Sequence, residues 1–302
     1  MKTAFIFPAF ISEYIGSEIQ ILDAFSSNFQ HYLHETSKIT GDDFEEFSLE
    51  NTAFTENELR SQLISYVFSC SLSDTLITRG LKPDILAGYS MGLYAALHTG
   101  GAIDFEDGIK LIKQAYIISK STIADIESGM GSIIGLTQDE IEEIIATYKL
   151  EAEIANTNSV HSHLVTGRLD AVNHLLNNAI EIGALSVALL NVKTPYHSKL
   201  LKGTLAEFQQ FISDEVPLKK TNYPIISSIN QRLVKTPDDI KTEITNNLFG
   251  NINWMHSFEK LVNVGVTQFI ECGAGKSLQK ISRFIPGDFK IYPMSKIKRL
   301  LT

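Results

Sequence analysis

The stretch "AGYSMGLYAA", residues 87–96, sets a serine between two glycines in the pattern Gly-x-Ser-x-Gly. Alone the pattern is weak, because a serine in a polar loop satisfies it equally well. Its flanks strengthen it. The residues "DILAG" before it are apolar enough for a buried strand, and the small residues after it suit a helix. A strand that turns sharply into a helix presents a serine hydroxyl at the helix N-terminus, where free N–H groups favour developing negative charge. Glycines on either side permit the close backbone approach that such a turn needs. Ser90 is therefore expected to be a nucleophile, with the Met91 N–H as one oxyanion donor.

A serine nucleophile needs a base. Most of the eight histidines sit in polar surroundings or helical patterns, where a solvated or structural role is the default. His197 stands apart. In "NVKTPYHSKL" it follows a predicted strand directly and sits at a Pro-Tyr bend, where a strand-end base can reach Ser90.

The surrounding elements must bring these two together. "TAFIFPAF" reads as a buried strand ending at Pro8, and residues 17–33 carry apolar residues at helical spacing. Residues 57–80 form a long amphipathic pattern closed by Gly80 in the manner of a C-terminal cap. "KPDILAG" is then a strand into Ser90 and "MGLYAALHTGGA" a helix out of it. Two consecutive strand–helix units predict a parallel sheet covered by helices. From residue 126 to 193 the pattern changes to βαββαβ, the ferredoxin-like order. In it, Thr137 is placed to cap a helix over 138–149, and "EAEIANTNSVHSHLVTGR" reads as two strands about an Asn/Ser turn. After this insert, "NYPIISSIN" and "VTQFIECGAGK" look like buried strands returning to the main sheet.

Bulk properties set the class. The 302 residues, 44% hydrophobic and 20% charged, can bury a sizeable core. A net charge of −9 argues against a nucleic-acid partner. The opening apolar run is too short for a signal peptide or a membrane span. Cys70 and Cys272 lie far apart with no metal-ligand spacing, and are expected to be reduced thiols in a cytoplasmic protein. No metal is expected, and the chain is expected to act as a monomer.

Taken in order, these motifs resemble those of the malonyl-CoA:acyl carrier protein transacylases, whose fold also serves as polyketide synthase acyltransferases. "FIFPAF" resembles the family's opening strand and Phe-Pro-Gly-Gln-Gly-Ser-Gln loop, and "AGYSMGLYAAL" its Gly-His-Ser-Leu-Gly-Glu-Tyr elbow. "IANTNSVHSHLVTG" resembles its Asn-rich hairpin and "PYHS" its base motif. "NINW" resembles Asn-Pro-Val-x-Trp, and "FIECGAGKSL" resembles Glu-x-Gly-Pro-Gly-x-x-Leu. The resemblance covers essentially the whole chain. It implies an α/β fold: a large domain of residues 1–125 and 194–302 with a mainly parallel, α/β-hydrolase-like sheet, plus the ferredoxin-like insert at 126–193.

The resemblance also implies a ping-pong mechanism with Ser90 as nucleophile and His197 as base. A backbone carbonyl orients the imidazole, and the matching position is Asn253. The oxyanion hole combines the N–H of Met91 with one from the opening loop, at Phe10. The substrate thioester arrives on the phosphopantetheine arm of CoA or an acyl carrier protein, with no other cofactor bound. Carrier proteins are usually acidic, so a local basic patch is expected on this acidic chain; Lys276, Lys280, Arg283, Lys296, Lys298 and Arg299 are the candidates.

The departures from the family pattern concern substrate choice. Ala9, Phe10 and Ile11 stand where the family has Gly, Gln and Gly; Tyr89 replaces a His, and Leu93 a Glu. Malonyl-specific members carry an arginine on the helix after the elbow that pairs with the substrate carboxylate. Ungapped counting from Ser90 puts Ala115 there, with Gln114 and Lys113 beside it. Without that partner a desolvated carboxylate is costly. Ala115, Gln114, Tyr89 and Tyr196 are thus expected to shape an acyl site for a longer, uncharged chain. A relocated cation, Lys113 or an arginine of the insert, would restore malonyl instead. Three further readings share the Ser90–His197 pair or part of it. One is an acyl hydrolase clearing carrier proteins, another an inactive homologue that only docks them, and the third an ordinary α/β-hydrolase esterase. The esterase would want an acid between serine and histidine, and none is evident.

Overall fold

The computed structural model describes residues 2–9, 23–47 and 53–300. Strands such as "AFIF" and "ILAG" are apolar at successive positions because both faces of their sheet are covered, as in parallel α/β architecture. In chain order the first elements are β1 (Lys2–Phe7), α1 (Asp23–Thr40), the short α2 (Ala53–Glu56), α3 (Glu58–Thr78), β2 (Ile85–Gly88), α4 (Gly92–Thr99) and α5 (Phe105–Thr122). Next come β3 (Ser128–Ile134), α6 (Gln138–Tyr148), β4 (Ala152–Ser159), β5 (Ser162–Arg168), α7 (Leu169–Glu181) and β6 (Ser186–Leu189). The chain continues through α8 (Leu205–Glu215), β7 (Ile225–Ile226), β8 (Leu233–Val234), α9 (Pro237–Asn247), β9 (Ile252–Asn253) and α10 (Trp254–Asn263). It closes with β10 (Val266–Glu271), α11 (Ser277–Ser282) and β11 (Lys290–Pro293).

Two sheets result. The larger runs β11-β10-β1-β2-β7-β8; every neighbouring pair is parallel except β7 with β8. The smaller runs β6-β3-β5-β4-β9. Its first four strands, with α6 and α7 on one face, have the ferredoxin-like order. The α/β class and the two-part layout are those expected. The fifth strand is not: β9, only two residues, adds in parallel to the edge of β4, pairing Asn156 with Ile252 and Thr157 with Asn253. A chain segment far from the small sheet in sequence thus stitches it to the main body, and two residues are too short for periodicity to reveal.

Other local differences have clear causes. α1 continues to Thr40, beyond residue 33, through a polar stretch with no apolar period. There Thr36, Ser37 and Thr40 hydroxyls donate to carbonyls one turn back. Residues 17–22 of that expected helix lie outside the described residues. The hairpin turn falls at Val160–His161, so Asn156 and Asn158 belong to β4 and are buried rather than in the turn. Thr137 caps α6 through a reciprocal pair with Glu140, as its sequence signature requires. Among the described residues no helix is long and apolar enough to cross a membrane.

Candidate active site

β2 delivers the chain to the elbow at the carboxyl end of the main sheet, where open α/β sheets place their ligands. Ser90 has φ of 54°, a left-handed conformation that a non-glycine residue holds only when its surroundings enforce it. The enforcement is visible. A Cβ on Gly88 would lie 2.3 Å from Leu93 N, and one on Gly92 would lie 2.0 Å from the Phe7 carbonyl oxygen, so only glycine fits at either position. Tyr89 N–H donates to that same Phe7 oxygen at 2.8 Å, and Ser228 Oγ–H donates to Gly88 O. Asn247 Nδ2 donates to Ser90 O at 3.1 Å. After the turn, the N–H groups of Gly92, Leu93 and Tyr94 are taken by the carbonyls of Tyr89, Ser90 and Met91. The Met91 N–H has no hydrogen-bond acceptor among the described residues, which leaves it available to an oxyanion. Phe10, the second expected donor, lies outside the described residues, as does Ile11.

His197 comes to the serine from 107 residues away, its Nε2 2.6 Å from Ser90 Oγ. It too has a left-handed φ, 60°, held by its N–H on Leu248 O at 2.8 Å. Its Nδ1 is 3.0 Å from Gly250 O. A carbonyl oxygen only accepts, so Nδ1 carries the proton and Nε2 keeps the lone pair that takes the serine proton. The orienting carbonyl is therefore Gly250, not Asn253. The chain past α9 turns back at Gly250, whose N–H bonds Asn246 O at 2.7 Å, and this turn aims the carbonyl at the imidazole. Asn253, three residues on, instead accepts the His256 N–H and caps α10.

Burial lowers the His197 pKa from 6.5 to about 4, against an opposing effect of the Gly250 and Asn247 carbonyls. At neutral pH it is an uncharged base. A second buried ionisable group lies one helical turn before Asn247: burial pushes the Glu243 carboxyl from 4.5 up to about 7, despite hydrogen bonds to the Ser227 side chain and the Ser228 backbone. The two act on stability in opposite senses. Below pH 6.5 the unfolded chain takes up a proton at its histidine that buried His197 refuses until about pH 4, so this group adds stability as pH rises from 4 to 6.5. Glu243 holds its proton to about 7 while the unfolded carboxyl loses it near 4.5, so this group subtracts stability as pH rises from 4.5 to 7. At about 1.4 kcal/mol per pH unit, each amounts to about 3 kcal/mol. Glu243→Gln is expected to be more stable than wild type by up to about 3 kcal/mol at pH 8 and to match it at pH 4.5. Urea unfolding at both pH values checks this; an equal difference at both would show that ionisation is not the cause.

Beside Ser90 lies a small cavity walled by Gln62, Met91, Tyr94, Ile112, Ala115, Tyr196 and Leu248 along with the catalytic pair. Ala115 and Tyr196 are thus part of it. Gln114 is not: 100° round the helix from Ala115, it faces an open groove between α1, α5 and α8, together with Lys113. The helical period that brings Ala115 inward turns both neighbours away. No lysine or arginine is among the described walls, so Lys113 is not a relocated clamp. Tyr89 is not a described wall either. Its hydroxyl donates to Asn158 Oδ1 at 2.8 Å and its ring meets Trp254 edge-on, tying the elbow to the small sheet. Gln62, which donates to Tyr196 Oη at 2.8 Å, Asn247 and Glu243 carried no local signal in the sequence. Glu271 is fully buried and accepts the N–H groups of Leu278 and Gln279, capping α11. Among the described residues no group of three or more His, Cys, Asp or Glu could hold a metal ion. The buried Cys70 and Cys272 are free thiols. Lys276, Lys280 and Arg283 are exposed on or beside α11, and Lys296, Lys298 and Arg299 are exposed in the final turn.

Residues 59–273, which hold the elbow, the base and its carbonyl, match the model of the acyl transferase domain family. The chain belongs to that family. The acyltransferase is 27% identical over 299 residues to the malonyl CoA-acyl carrier protein transacylase of Staphylococcus aureus, covering 96% of this chain and 94% of that one. The solved acyl-carrier-protein S-malonyltransferase of Burkholderia pseudomallei resembles it with a TM-score of 0.88 at 25% identity, covering 100% of this chain and 99% of the other. A malonyl-transacylase solved in complex with its type II PKS acyl-carrier protein matches at a TM-score of 0.85 and 20% identity, covering 97% and 96%; at that identity the likeness is one of fold. In this acyltransferase a strained serine, a neutral base and a free N–H converge on one point, the minimum that acyl transfer through an acyl-enzyme requires.

Proposed function

We propose that this acyltransferase moves an uncharged acyl group between thioesters carried on the phosphopantetheine arm of CoA or an acyl carrier protein. The observation that carries the reading is the cavity beside Ser90. Its described walls hold Ala115 and no cation, so a malonyl carboxylate would be desolvated without a partner, at a cost of several kcal/mol. Two relatives are named for action on acyl carrier protein, and one is solved with such a protein; that supports a carrier protein as partner. The exposed Lys276, Lys280 and Arg283 supply positive charge for an acidic partner on a chain whose net charge is −9, and a cytoplasmic location follows from that role.

Each half-reaction uses the same groups. His197 Nε2 takes the Ser90 proton as Oγ attacks the thioester carbon, and Met91 N–H meets the oxyanion. The C–S bond breaks, the imidazolium returns its proton to the leaving thiolate, and the acyl group stays on Ser90 as an ester. An acceptor thiol then repeats these steps in reverse; water in its place would release a free acid.

Intact-protein mass spectrometry of wild type and Ser90→Ala, incubated with acyl-CoA and holo carrier protein, tests the proposal. Wild type is expected to gain the acyl mass and pass it to the carrier, and Ser90→Ala to gain nothing. A mass gain from malonyl alone would overturn the choice of acyl group. A transient gain ending in free acid with the carrier unloaded would establish hydrolysis instead.

A further inference from the structure

The cavity beside Ser90 is far smaller than the loss of an arginine alone would leave. The space that the centre of a water molecule can reach in it is about 10 Å³, enough for a group of about methyl size. Three side chains fill the rest. Tyr94 on α4 is 1% exposed, Tyr196 is 6% exposed and Gln62 on α3 is 2% exposed. The Tyr196 ring is pinned, since its hydroxyl accepts from Gln62 Nε2, and swinging it outward would break a buried hydrogen bond. Among the described walls, Ile112 and Leu248 add apolar surface.

We propose that the acyl group is acetyl, with Tyr94, Tyr196 and Gln62 as the residues that exclude anything longer. This rests on the reading of Ser90 as carrier of an uncharged acyl group. The carbonyl carbon bonds Ser90 Oγ and the acetyl methyl occupies this small space. Each added methylene has to displace a packed side chain. The expectation of a longer chain, drawn from Ala115 alone, is replaced: the volume freed at Ala115 is taken up by the two tyrosines and the glutamine.

The test is the rate at which Ser90 loads from acetyl-, butyryl-, octanoyl- and malonyl-CoA, read by intact mass. A misfit methylene in an apolar pocket discriminates by roughly 10- to 200-fold, so acetyl is expected to exceed butyryl by about 100-fold or more, with octanoyl slower still. Ile112→Ala, which enlarges the cavity, is expected to bring the two rates within about tenfold. Butyryl loading wild type within tenfold of acetyl overturns the size limit while leaving the uncharged-acyl reading intact. Malonyl loading fastest overturns that reading itself, and no loading from any of the four overturns the acyl-enzyme role of Ser90. The wild-type panel decides among these outcomes whether or not the variant folds.

Discussion

Replacing His197 with alanine is expected to slow acylation of Ser90 by about 10⁴- to 10⁶-fold, the range seen when a catalytic base is removed from a serine enzyme. The size follows from the geometry. Ser90 is 7% exposed, so little bulk water reaches its hydroxyl, and the Nε2 atom 2.6 Å away is the base poised to take its proton. The imidazole is fixed before substrate arrives, by Gly250 O on Nδ1 and by a backbone held in the left-handed region. No reorganisation is then needed in the transition state. In wild type the acylation rate is expected to fall on the acid side around pH 4, where buried His197 takes a proton, rather than near 6.5, where a solvated imidazole would. Single-turnover acylation by acetyl-CoA from pH 3.5 to 8 reads both effects. A loss below tenfold in His197→Ala would mean that a different group takes the proton, and an acid limb at 6.5 in wild type would mean that burial does not hold His197 neutral.

What the sequence disclosed, and what it concealed, divides along range. The elbow was legible because every feature it needs is local: an apolar strand, two glycines four residues apart and a helix start. The Ser90–His197 pair was also legible, since a strand-end histidine at a Pro-Tyr bend has few places to point. The orienting carbonyl was not. Any residue near Trp254 offers a carbonyl, and only the turn at Gly250 decides which one faces the imidazole. Counting residues from a motif therefore gave Asn253, which caps a helix. Gln114 failed for a related reason: one position on a helix is 100°, enough to move a side chain from cavity to solvent. The contacts that define the acyl site's size and the elbow's support are longer in range still. Gln62 meets Tyr196 across 134 residues, Tyr89 meets Asn158 across 69, and Asn247 meets Ser90 across 157. No spacing rule links such partners, so the loss of an arginine at Ala115 does not by itself tell how much room lies beside it.

Gly92→Ala is expected to destabilise the protein by more than about 3 kcal/mol and to abolish Ser90 acylation, although it adds a single methyl group. The new Cβ would stand 2.0 Å from Phe7 O, 2.7 Å from Phe7 C and 2.9 Å from Pro8 O. All three are backbone atoms at the end of β1, so no rotamer change relieves the clash, and overpacking against rigid surroundings costs more than the usual core insertion. The Phe7 oxygen also accepts the Tyr89 N–H. Moving it aside loosens the β1–β2 junction on which Ser90 is mounted, and the serine then leaves the position where His197 and Met91 N–H converge. Gly203→Ala is the matched control: its Cβ would touch only the Thr122 Cγ2 methyl, at 3.5 Å, and it is expected to stay within about 0.5 kcal/mol of wild type. Thermal unfolding of both variants, with acylation measured at 25 °C, separates the cases. A drop in Tm of about 5–10 °C with no acyl-enzyme is expected for Gly92→Ala alone. A stable, acylating Gly92→Ala would show that the elbow relaxes without this glycine, and that the strain at Ser90 is not imposed by the contact with β1.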